Sequence, residues 1–161
     1  MCKKRVILIC FLFFIVQNAH SEEATSTARN VTSNVTSSSG KDTRQLVSMP
    51  EQTLEIMRQD MLEHLATLSE IIGYLAANNL EAAADVAEKK MGRSSMGKHR
   101  GTGMGPGRFM PPAMHRIGRG MHEAASEVAT AAKQGDLKGA YTSLQKVTSS
   151  CVACHYSYRT R

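Results

Sequence analysis

Near the carboxyl end of this 161-residue chain stand Cys151, Val152, Ala153, Cys154 and His155. Two cysteines separated by two residues and followed at once by histidine have the spacing of a c-type haem attachment site. On a helix, residues three apart lie on one face, so both sulfurs can reach the two vinyl groups on one edge of a porphyrin. The adjacent imidazole is then placed to ligate the iron from the proximal side. Other chemistries suit these residues less well. A thioredoxin-like CxxC redox pair needs a βαβ pattern, which the sequence does not show. A structural zinc site needs a second ligand pair, and the only other cysteines are Cys2 and Cys10. The motif therefore predicts one covalent haem c, with thioethers at Cys151 and Cys154 and His155 on the iron.

Such a motif needs helices to hold it. Leu54, Met57, Met61, Leu65, Leu68, Ile72 and Leu75 recur at helical spacing and predict a long amphipathic helix, with Ser48 as its cap and Glu51 closing a capping box. Leu80, Ala83, Ala84, Ala87 and Met91 predict a shorter helix starting at an Asn78–Glu81 box and ending at Gly92. The alanines imply close approach to a neighbour. Residues 93–110, rich in Gly and Met, predict a long loop. Pro111-Pro112 opens a third helix with the stripe Met114, Ile117, Met121, Ala124, Ala125, Val128 and Ala132. Asp136 caps a fourth, which carries Leu137, Ala140, Tyr141, Leu144 and Val147 and delivers the motif. No segment alternates with period two. The expected fold is all-α, an antiparallel four-helix bundle with its haem near the C-terminus. Phe109 and Tyr141 are the large aromatics expected beside that haem.

At the other end, Lys3, Lys4 and Arg5 precede an apolar run from Val6 to Val16, and a small-residue ending reaches Ser21. This is the pattern of a secretory signal peptide over residues 1–21, and the run is too short to cross a bilayer. Export to the bacterial periplasm fits haem attachment, with no stable membrane anchor after cleavage. Residues 22–47, rich in Ser, Thr and Asn, are expected to form a disordered linker, and residues 48–161 the bundle. The formal charge is +6 for the whole chain; without residues 1–21, 17 basic residues face 14 acidic ones, which leaves +3. That balance gives no nucleic-acid footprint. Nothing in the chain pairs a nucleophile with a base or builds a phosphate-binding loop, so a non-enzymatic role is expected.

Four amphipathic helices with Cys151-Val152-Ala153-Cys154-His155 on the last, followed by Tyr158-Arg159, resemble the class II c-type cytochromes, the cytochrome c′ and c-556 group. The resemblance covers residues 50–161 and extends to Arg58-Gln59, which matches an Arg-Gln pair facing the haem edge in that group. It implies haem buried between helices, His155 as proximal ligand, redox partner proteins, and two distal chemistries. A methionine from the first helix makes a six-coordinate electron carrier, whereas an apolar distal residue leaves iron open to small diatomic gases. Met61 lies on the core stripe and is the candidate sixth ligand, while the Arg-Gln alignment places Leu62 at the distal position. The core-filler reading of Met61 stays open, as does a homodimer.

Arg58 is a candidate propionate contact, because a guanidinium matches a carboxylate fork. His64 could ligate if the first helix were rotated, against the plainer reading of a half-exposed surface histidine. A second class of function comes from His99, His115 and His122 with Met96, Met104, Met110, Met114 and Met121. Imidazole and thioether groups suit copper, so a Met/His-rich periplasmic copper-binding protein is the other alternative.

Overall fold

The computed structural model describes residues 41–161. The expected signal peptide and almost all of the expected linker lie outside the described residues. The part from Asp42 to Arg161 is an all-α four-helix bundle with one small addition. Among the described residues, no helix is long and apolar enough to cross a membrane.

Helix α1 spans Glu51–Ala76 and runs for about 39 Å at 1.5 Å per residue. Its start differs from the Ser48 capping box. Pro50 occupies the cap, and its carbonyl accepts the Leu54 N–H at 2.9 Å with no side-chain cap. The proline ring fixes an extended entry and cannot itself propagate the helix from Ser48. Leu54, Met57 and Leu75 of the expected stripe are buried, but Leu65 and Ile72 are exposed. The buried line runs instead through Met57, Met61, His64, Leu68, Ile71 and Leu75, one residue around the helix.

Helix α2 spans Leu80–Val86, and the start lies one residue later than expected: Asn79, not Asn78, accepts the Ala82 N–H at 3.2 Å. Asn78 takes the turn itself, with φ of 54°. The helix widens into a π turn over Ala87–Met91 and ends at Gly92. A Cβ at Gly92 would run into the backbone and carboxylate of Glu88, so the glycine is required by space. The loop after it contains single 3₁₀ turns at Arg93–Ser95 and Pro106–Arg108. Lys98 fastens this loop to α1, with Nζ 2.6 Å from Asp60 and 2.7 Å from Glu63. His99 Nε2 lies 3.2 Å from the same Asp60 carboxylate.

Helix α3, Pro112–Lys133, opens as expected with Pro111 as cap and Pro112 at its first position. Gly135, at φ of 75°, reverses the chain, and Asp136 Oδ1 accepts the Gly139 N–H at 2.8 Å to start α4, Leu137–Ser157. Helices α3 and α4 pack along their lengths, and α2 packs on α1 and α3.

The addition is a pair of three-residue strands. β1 (Gln45–Val47) lies parallel to β2 (Tyr158–Thr160), pairing Leu46 with Arg159. Ordered chain thus reaches back into the segment expected to be linker. Three residues are too few to show a period of two, which is why the sequence did not reveal them.

Two apolar clusters fill the bundle. The larger joins Ile71 and Leu75 of α1, Ala83, Ala84, Ala87 and Met91, Met121 to Ala132 of α3, and Ala140, Leu144 and Val147 of α4. The smaller sits where α1 and α3 begin and α4 ends. It centres on Val47, Met57 and Met114, with Met49, Met61, Met110, Cys154 and Tyr158 packed against it.

Candidate functional site

The motif rides on the last turns of α4, the end that reaches the smaller cluster. Helical spacing puts Cys151, Cys154 and His155 on one side of that helix. Cys151 and His155 are exposed, Cys154 is half-buried, and both thiols are free. Burial pushes both thiols up from their usual value, and Cys154 is raised further by the neighbouring Cys151. Both sulfurs are therefore held as thiols at neutral pH.

The strands fix how α4 ends. Tyr158 turns extended, its N–H donating to the Cys154 carbonyl, and β2 then runs beside β1. Arg44 Nη1 donates to the His155 carbonyl at 3.3 Å, satisfying one of the carbonyls that a helix end leaves free. Arg159 Nε donates to the Arg44 carbonyl at 3.4 Å and lies 3.5 Å from Asp42 Oδ2. Hydrogen bonds from the Arg44 side chain and backbone hold the Asp42 carboxyl down to about 2. A strap just before the bundle therefore grips the residues just after the motif, which sequence reasoning missed.

Facing the motif, α1 offers two kinds of side chain. Met57 and Met61 point into the smaller cluster that contains Cys154. Leu62 and Leu65 are 60% and 66% exposed and leave a bare apolar strip beside them. Arg58 is exposed and has a loose partner in Glu55 at 3.6 Å, a surface pair worth little. It is free to turn toward another acid.

Two expected aromatics are placed differently. Tyr141 is 43% exposed on the first turns of α4, far along the helix from Cys154, and Phe109 is half-buried in the loop. The copper-type set does not assemble either. His99 is committed to Asp60, His115 is exposed, and His122 lies against His64. Met114 and Met121 belong to different clusters. Among the described residues, no three of His, Cys, Asp and Glu converge as a metal site.

The donor set fits a covalent haem. Two free thiols at i and i+3 and an exposed imidazole at i+4 stand at the edge of a methionine-lined apolar cluster. Leu62 and Leu65 supply further exposed apolar surface. A family model described as cytochrome c′ matches residues 50–159. Comparison with curated proteins and with solved structures gave no match. The four helices, the thiols and imidazole at the end of the last one, and the match over most of the chain agree: the chain belongs to the cytochrome c′ family, whose cofactor is a covalently attached haem c.

Proposed function

We propose that the protein is an exported monohaem cytochrome that carries single electrons between redox partner proteins. Cys151 and Cys154 would hold the porphyrin through thioether bonds and His155 would ligate its iron. Haem c supplies a one-electron Fe(III)/Fe(II) couple when bound. The chain's own contribution is to exclude water with Met57, Met61, Met110 and Met114. The observation that carries this reading is the position of Met61: its thioether packs in the same cluster as Cys154, one helix across from the motif. A soft thioether as sixth ligand favours reduced iron. Arg58 is proposed to pair with a haem propionate, because its one ion-pair partner among the described residues is the loosely held Glu55. Signal-peptide pattern and haem attachment together support a periplasmic location.

One observation favours a second reading. The exposed Leu62 and Leu65 continue the apolar surface of α1 outside the methionine cluster. A distal side lined by these leucines offers iron no ligand and leaves room for a diatomic gas. A spectrum of the ferric protein decides between them. Met61 ligation gives the weak red charge-transfer band of sulfur on iron and resistance to carbon monoxide after reduction, and Met61→Ala removes both. A high-spin spectrum in the parent, unchanged by Met61→Ala, overturns the carrier reading in favour of gas binding.

A further inference from the structure

Between the two clusters, halfway along α1 and α3, two histidines from different helices meet. The ring centroids of His64 and His122 lie 5.7 Å apart, with the rings at 78°. Both side chains are half-exposed, so solvent reaches them. From this geometry we infer a binding site for one divalent transition-metal ion, separate from the haem, with His64 and His122 as its two protein ligands.

The first support is the tautomer of His122. Its Nδ1 lies 2.7 Å from the Met91 carbonyl, which can only accept, so Nδ1 carries the proton. Nε2 then holds a free lone pair. This is the arrangement that orients metal-ligating histidines, one ring nitrogen bonded to a carbonyl and the other left to the metal. The π turn over Ala87–Met91 supplies that carbonyl at its open end, and π turns of this kind recur at functional sites. Ser95 Oγ, 3.4 Å from the same Nδ1, flanks it.

The second support is His64. No hydrogen bond holds its ring among the described residues, so its nitrogens are not committed to another partner there. Two imidazoles on one tetrahedral ion stand with their centroids roughly 5 to 6 Å apart, given metal–nitrogen bonds of about 2.0–2.1 Å. The observed separation fits. Imidazole suits zinc, nickel and copper(II), and water would complete the shell, since among the described residues no third His, Cys, Asp or Glu joins the pair. The loop histidines His99 and His115 take no part.

Zinc(II), which has no redox chemistry of its own, is the probe. Titrated calorimetrically into the haem-loaded protein at neutral pH, it should bind one ion per chain and raise the thermal midpoint, without moving the Soret band. His64→Gln should weaken binding ~tenfold or more, and because His64 has no hydrogen-bond partner among the described residues, this variant orphans none of their buried groups. His122→Gln should do the same, with helical circular dichroism confirming the fold. His99→Gln and His115→Gln should leave the affinity unchanged. Absence of stoichiometric zinc, or binding that survives His64→Gln, overturns the proposal.

Discussion

One end of the bundle is closed with alanine, the other is lined with methionine. In the alanine half, Ala83, Ala84, Ala87, Ala125 and Ala140 are fully buried among Ile71, Leu75, Val128 and Val147. Small side chains let the backbones of α2, α3 and α4 approach closely, and little in such a core can rearrange. In the methionine end, Met57 and Met114 are buried while Met49, Met61 and Met110 are only partly covered, and bare leucines stand beside them. Thioether side chains adapt to irregular gaps. The difference teaches that one part of the bundle packs the fold tightly while another keeps open the apolar surface on which the proposed haem site is built. The alanine half closes on its own atoms, and the methionine end keeps pliable apolar surface next to Cys154.

Truncations should expose this division. Ile71→Ala removes a fully buried side chain from the closed half and should cost about 3–4 kcal/mol in chemical denaturation, because the alanines around it cannot collapse inward. Met57→Ala, in the pliable end, should cost no more than about 2 kcal/mol in the haem-free chain. Equal losses at the two positions would show that the ends are packed alike.

A smaller effect sharpens the contrast from within the methionine end. Thr53, at 0% exposure near the start of α1, buries its hydroxyl with no hydrogen-bond partner among the described residues. Thr53→Val keeps the branched shape and removes the unpaired group, so it should stabilise the protein by about 1 kcal/mol. Loss of stability on that change would mean the hydroxyl is paired in solution.

The smallest effect lies in the strap. The folded Asp42 carboxyl sits near 2, below its ordinary 3.8. A depressed carboxyl contributes stability that is present above the ordinary value and fades as pH falls toward the folded one. Protection of the Leu46 and Arg159 amides, measured against their intrinsic exchange rates, should therefore fall between pH 4 and pH 2. In Asp42→Asn that dependence should vanish and exchange there should already be fast at pH 5. An unchanged profile would show that the Asp42 contacts with Arg44 and Arg159 do not hold the strap.

Much of the site was legible in the sequence because its geometry is local. Cys151, Cys154 and His155 lie within one and a half turns of helix, so spacing alone puts them on one side. The stripes of α3 and α4 were legible for the same reason of period. What failed was decided by tertiary context. Which line of α1 turns inward depends on how the whole helix rotates against its neighbours, so Leu65 and Ile72 came out exposed and His64 came out half-buried. Caps at Pro50 and Asn79 shifted by one or two residues where proline and a left-handed Asn78 settled the chain. The β1–β2 strap joins residues more than a hundred positions apart, and the meeting of His64 with His122 depends on two helices and a π turn. No local pattern encodes either.

The central claim is that the methionine end holds a haem bonded to Cys151 and Cys154. The most direct test is acid–acetone extraction of protein made with a working haem-maturation system, followed by a denaturing gel stained for haem. Haem should stay with the polypeptide, and Cys151→Ala combined with Cys154→Ala should abolish the stain while helical circular dichroism persists, carried by the alanine half. A parent chain that yields all its haem to the solvent, or a double variant that keeps its stain, would contradict the account.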